Sequence, residues 1–265
     1  MTETPDMLIV SPPRRGVVTV TLNRPQRHNA FDDELIRQLT ATLRQLAGDD
    51  AVRAVVLAGN GRSFSAGADL NWMQRTAGYS REQNEADALA LAELMETLDA
   101  LPKPTIARVH GAAIGGGVGL VACCDIVLAS ESARFRLSEV RLGLIPAAIA
   151  PYVCRAMGER QARRYFVSAE LFDAGEAHRI GLVHEVVADA ELDARLEALL
   201  QGLQANGPRA MAEAKALARL AGRSPMDRAM TERTARWIAE IRVGDEGREG
   251  IGAFLEKRKP AWAAE

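Results

Sequence analysis

The chain has 265 residues, 48% hydrophobic and 26% charged, with a net charge of −2. That size and mix suit one large domain, or a core with an appendage, and the near-neutral charge gives no case for nucleic acid or an anionic membrane as partner. No stretch nears the ~20 uninterrupted apolar residues of a membrane span, and the N-terminal MTETPDMLIVSPPRRG lacks the basic-then-apolar pattern of a secretory signal. In chain order, GVVTVTLN (Gly16 to Asn23) alternates valine and threonine and predicts a strand. Phe31 to Leu46 spaces Leu35, Leu39, Leu43 and Leu46 as one face of a helix. VRAVVLAG (Val52 to Gly59) predicts a buried strand, and GNGRSFSAGADL a loop after it. Arg81 to Leu101 predicts a helix that stops at Pro102 and Pro104. PTIARVHG predicts a third strand, GGGVGLVACC a helix, and DIVLAS and ARFRL two further strands.

Strands alternating with helical crossovers imply βαβ units and a largely parallel sheet. After Leu144 helical patterns dominate, at Pro151–Met157, Glu159–Ala169, Ala174–Ile180, Glu191–Ala205, Pro208–Ala221, Met226–Val243 and Gly247–Lys257, with one short strand, LVHEVV. Cys123, Cys124 and Cys154 are odd in number, and two are adjacent, which argues for a reducing compartment rather than a disulfide framework. A cytoplasmic location is the expectation.

HGAAIGGGVGLVACCD concentrates glycine where a strand meets a helix. The first N–H groups of a helix have no intrahelical partner and carry partial positive charge. Three explanations are open: tight strand–helix packing, a phosphate site, or an oxyanion hole. Neither GxGxxG nor GxxxxGK[ST] is present, so the phosphate motifs are unsupported. An oxyanion hole needs a second donor, and SFSAGADL, at the carboxyl end of the preceding parallel-type strand, is placed to offer one. Asp69 there also suits the N-cap of a following helix.

FSAGADLNWM, HGAAIGGGVGLVACCDIVLAS, ARFRLSEVRLGLIP, FDAGEAHRIGLVHEVV and AFLEKRKPAW occur in that order over nearly the whole chain. Together they resemble the crotonase (enoyl-CoA hydratase/isomerase) superfamily. The resemblance implies an α/β fold, a crotonase-like ββα superhelix over residues 1–200, and a C-terminal helical trimerisation region over 201–265. It implies an acyl-CoA thioester substrate, coenzyme A arriving as part of it with no separate cofactor, and a homotrimer or a hexamer of paired trimers. The family's oxyanion donors fall on the amides of Ala68 and Gly116. Of the two glutamates common in its hydratases, one position is Gly119 here and the other is Glu139.

The coenzyme A contacts carried over are Arg27, His28, Ala66, Asp69 and Leu70, with Phe254 and Lys257 supplied by a neighbouring subunit. The LIPAAIAPYV continuation and the GGGVGL pattern resemble bacterial methylglutaconyl-CoA hydratases. Gly119 then implies room at the reacting end and one negative charge fewer beside a carboxylated acyl chain. Arg136 and Arg141 lie near Glu139 in sequence as possible partners for that carboxylate. The implied activity is hydration of a branched or carboxylated enoyl-CoA with one glutamate. Isomerisation by the same glutamate and a non-catalytic acyl-CoA binder are the alternatives. The four histidines show no HxxxH or HExxH spacing, so no metal site is expected.

Overall fold

The computed structural model describes residues 6–263. Apolar, β-branched runs build the main sheet. β1 (Leu8–Val10) and β2 (Val17–Leu22) pair antiparallel, and α1 (Asp33–Ala47) follows. The apolar stripe of α1, including Leu35, Leu39, Leu43 and Leu46, is buried, and Asp32 caps it by accepting from the Leu35 N–H at 2.9 Å. β3 (Ala54–Gly59) pairs parallel with β2 and leads at once to a three-residue strand, β4 (Ser63–Ser65). Helices α2 (Leu70–Thr76) and α3 (Arg81–Asp99) return the chain. The unit then repeats as β5 (Thr105–Val109), β6 (Ala112–Ile114) and α4 (Gly116–Cys123), and again as β7 (Ile126–Ser130) and β8 (Arg134–Arg136).

Each repeat therefore gives one strand to each of two sheets. The larger runs β1-β2-β3-β5-β7-β10, with β10 at Glu185–Val187, and is parallel from β2 onward. The smaller runs β4-β6-β8-β9, with β9 at Phe172–Asp173. This is the ββα superhelix implied by the resemblance. Strand–helix alternation alone implies one sheet, and β4, β6 and β9 correct that. They are two or three residues long, too short for a periodicity to show.

The remaining helices are α5 (Ala150–Met157), α6 (Glu159–Ser168), α7 (Ala174–Arg179), α8 (Leu192–Gln204), α9 (Pro208–Ala221), α10 (Arg228–Val243) and α11 (Asp245–Leu255). Leu200 of α8 is buried with Val17, Val56 and Ile106 of the large sheet, and Leu196, Leu199 and Leu203 pack around them. A division after residue 200 falls inside this helix. α9 and α10 carry no fully buried residue, and α11 buries only Ala253. No described helix is long and apolar enough to cross a membrane. The three cysteines are free, and burial pushes the Cys124 thiol up to about 12.

Candidate active site

The parallel order of the small sheet brings the carboxyl ends of β4, β6 and β8 side by side. Each of the three segments that follow contributes one part of the site.

The loop after β4 is held from below by the turn after β2. Asn29 is fully buried, and its amide donates to the carbonyls of Asn60 (2.9 Å) and Ser63 (2.8 Å). Ser65 Oγ donates to the Asn29 carbonyl at 2.9 Å. Phe31 then grips the loop as a parallel bridge: its N–H donates to the Gly67 carbonyl at 2.6 Å, and its carbonyl accepts from Asp69 N–H at 2.7 Å. That pairing turns the Ala68 N–H to the opposite side, where it has no acceptor among the described residues. Gly67 has φ +84°, and a Cβ there would lie 2.9 Å from the Ile114 carbonyl oxygen, so only glycine fits.

After β6 the chain turns at Gly115 (φ +50°) into α4. The Gly115 N–H donates to the Arg136 carbonyl at 2.8 Å, tying this turn to β8. The Gly116 N–H, first in the helix, has no acceptor among the described residues. A Cβ on Gly67 would sit 3.9 Å from Gly115 Cα, so the two loops touch, with Ala68 and Gly116 each one residue beyond the contact.

Packing inside the protein, the first of the three explanations open from the sequence, is by itself a sufficient reason for the triple glycine. A Cβ on Gly116 would strike the Phe31 ring at 2.7 Å, and one on Gly117 the Ser65 carbonyl oxygen at 2.8 Å. One on Gly115 would meet Glu139 Oε1 at 3.0 Å. A bulky residue at 116 would therefore disturb Phe31 whether or not a ligand binds.

β8 leads to a short 3-10 turn, Glu139–Leu142, that sets Glu139 against the start of α4. Burial raises the Glu139 carboxyl above its ordinary value of 4.5, and its own backbone N–H only partly offsets this. Its Oε2 is buried and accepts no hydrogen bond among the described residues. A half-buried carboxylate with a free lone pair, set against the turn that leads to the unpaired Gly116 N–H, has the parts for moving a proton beside a polarised carbonyl.

Gly119 lies one turn deeper on α4 and is buried. Room at this position is contradicted: a Cβ on Gly119 would stand 2.9 Å from Ile149 Cβ and 3.2 Å from Met95 Sδ, inside the envelope of Ile149 Cγ2. The space that the bare glycine leaves is filled by Ile149.

Around the first loop, Asp69 is only 4% exposed and caps α2 through the N–H groups of Asn71 and Trp72. Its Oδ2 also meets Arg27 at 2.7 Å and Arg24 at 3.3 Å. Burial opposes its ionisation, but the Arg27 hydrogen bond and the two amides outweigh burial and hold it below the usual aspartate range. The Asp69 carboxylate is thus engaged within the protein. Arg27 is 44% exposed above it, and His28 (φ 51°) is exposed with Nδ1 3.0 Å from Ser63 Oγ. Ala66 donates its N–H to the His28 carbonyl at 2.9 Å, and Leu70 is 74% exposed.

Those residues gather on one rim. Phe254, 82% exposed, and Lys257 do not join them within the chain: they stand at the outer end of α11, which packs on α9 and α10. Sequence reading missed Arg24, which is buried and bridges Asp32 (2.7 Å) and Asp69, and also Phe31 and Ile149. Arg24-Pro25 reads as a plain turn, and nothing local marks a buried ion pair.

The profile of the family described as enoyl-CoA hydratase/isomerase matches residues 13–265. The chain is 46% identical to an enoyl-CoA hydratase from Shewanella pealeana of solved structure, with a TM-score of 0.94 over 97% of this chain and 96% of that one. It is 36% identical over 258 residues to the 2,3-dehydroadipyl-CoA hydratase of Escherichia coli K12 (96% of this chain, 97% of the relative). It is 33% identical over 240 residues to the crotonyl-CoA hydratase of Syntrophomonas wolfei (90% and 91%). With this fold and these matches, the chain is an enzyme of the enoyl-CoA hydratase/isomerase family.

Proposed function

We propose that the protein hydrates an α,β-unsaturated acyl-CoA carrying a branch or a second carboxylate, with 3-methylglutaconyl-CoA as the leading substrate. The observation that carries the hydratase reading is Glu139 against the turn into α4, whose first N–H, on Gly116, is unpaired, with the loop of the unpaired Ala68 N–H touching that same turn. The thioester oxygen accepts from both N–H groups. Glu139, ionised, takes a proton from water as the water oxygen bonds to the β-carbon. The double-bond electrons move toward the thioester oxygen, where the two donors stabilise the enolate. The enolate then collapses, and its α-carbon takes the proton back from Glu139. One carboxylate serves both transfers, and the net change is addition of H and OH.

The acyl assignment has its own support. The LIPAAIAPYV segment carries the resemblance to methylglutaconyl-CoA hydratases, and one relative is named for a dicarboxylic enoyl-CoA. Arg136, in register with Ile114 beside the site, is half-buried and pairs with no carboxylate among the described residues, so it suits a substrate carboxylate. A panel of enoyl-CoA thioesters, with hydration and double-bond migration scored separately, tests the reading. A kcat/KM for methylglutaconyl-CoA above that for crotonyl-CoA is expected. Equal or better crotonyl-CoA hydration overturns the acyl assignment, and migration without hydration makes the enzyme an isomerase.

The oligomer belongs to the same proposal. In this reading the exposed Phe254 and Lys257 complete a neighbour's coenzyme A site in a trimer. Phe254→Ala and Lys257→Ala are expected to raise KM with kcat nearly unchanged; an unchanged KM in a sedimenting monomer overturns the idea. Truncation is a poorer probe, because Trp262 is tied in: its carbonyl accepts from Arg53 at 2.9 Å and its Nε1 donates to Ala205 at 3.2 Å.

A further inference from the structure

We propose that Gly119 and Ile149 are a matched pair, with Ile149 standing in the place of a side chain on residue 119 and setting acyl selectivity at the reacting end. The inference rests on reading Glu139 as the reacting carboxylate. Gly115, the N-cap of α4, is tied to Gly119 one turn on, whose N–H donates to the Gly115 carbonyl at 3.2 Å. At the first, the nearest side-chain atom to a built Cβ is Glu139 Oε1; at the second, it belongs to Ile149. The cap and the first turn of α4 are thus bare of side chains at these two positions, with Glu139 against Gly115 and Ile149 against Gly119.

Ile149 is 2% exposed and cannot easily move away. It is the residue before α5, its carbonyl accepts from the Tyr152 and Val153 N–H groups at 3.1 Å, and its β-branch restricts its rotamers. Met95 closes the same space from α3. Two consequences follow. A second carboxylate at residue 119 is sterically excluded, so proton transfer falls to Glu139 alone. The wall next to Glu139 is rigid and apolar, and its depth is set by the Ile149 side chain. An added glutamate at 119 without a change at 149 is therefore expected to damage the site rather than convert it.

The test is a cycle of Gly119→Glu, Ile149→Gly and the double variant, with Ile149→Ala and Ile149→Val alongside. Glycine is needed in the cycle because alanine at 149 keeps a Cβ 2.9 Å from the new one. The readouts are melting temperature, calorimetric binding of the saturated probes butyryl-CoA and hexanoyl-CoA, and turnover. Gly119→Glu is expected to lower the melting temperature and to weaken butyryl-CoA binding. Adding Ile149→Gly is expected to restore binding by about tenfold relative to Gly119→Glu, the sign of direct coupling. Ile149→Ala is expected to shift preference toward hexanoyl-CoA by about tenfold, a methylene-scale effect, while Ile149→Val keeps the wild-type preference. Additive losses in the cycle, or an unchanged preference in Ile149→Ala, overturn the proposal while the hydratase reading stands. Binding and selectivity as described, with no turnover of any enoyl-CoA, sink the hydratase reading and leave the pair. A wild type that binds neither probe overturns both.

Discussion

Glu139→Gln is expected to lower turnover by about 10²–10⁴-fold while butyryl-CoA binding persists. Glutamine keeps the shape beside Gly115 and removes the one carboxylate that meets that position among the described residues, so the loss falls on kcat rather than on affinity. The pH dependence is a separate check. Glu139 must be ionised to accept a proton, and burial raises its pKa, so kcat/KM should fall as pH drops through a value above the ordinary 4.5. That acid limb should be absent from the residual activity of the glutamine variant. Stability should move the other way. With a folded-state pKa above the unfolded one, the folded protein binds the proton more tightly. The contribution of Glu139 to stability is full below the unfolded pKa and is lost as pH rises through the folded one. Glu139→Gln should therefore melt above the wild type at neutral pH, and the gap should close in acid. Near-wild-type turnover, or a lower melting temperature at neutral pH, would remove Glu139 from its role.

Ala68→Pro is expected to cost about 10²–10³-fold in kcat, the usual loss for one oxyanion donor. Proline deletes the N–H and nothing else that the loop uses for pairing, since the bridge to Phe31 runs through the Gly67 carbonyl and the Asp69 N–H. Ala68→Ser, which keeps the N–H, should stay near wild type and controls for side-chain effects. An equal loss in both variants would assign the effect to the side chain. Normal turnover in Ala68→Pro, with the fold intact by circular dichroism, would show that the thioester oxygen takes no bond from residue 68. The opposite donor is harder to probe, because any side chain at 116 collides with Phe31 before it reaches a substrate.

The sequence by itself determined the long elements and the family. Apolar runs in β3 and β7 and the valine–threonine alternation of β2 mark strands, and the leucine stripe of α1 marks its core side; these signals are local and repeat along the chain. Five ordered motifs pointed to Ala68, Gly116 and Glu139 as parts of one site. Only the tertiary structure decided why the glycines are glycines. Their neighbours are Phe31, Ser65, Glu139 and Ile149, each far enough along the chain that no spacing rule relates them. The same holds for the second sheet, whose three-residue strands take their identity from pairing partners rather than from their own pattern, and for Asp69, whose N-cap was legible but whose two arginines were not. Gly119 is the sharpest case. In the sequence it is a missing carboxylate and an apparent gap; in the fold the gap is filled, because close packing leaves no room for a void that a side chain thirty positions later can occupy.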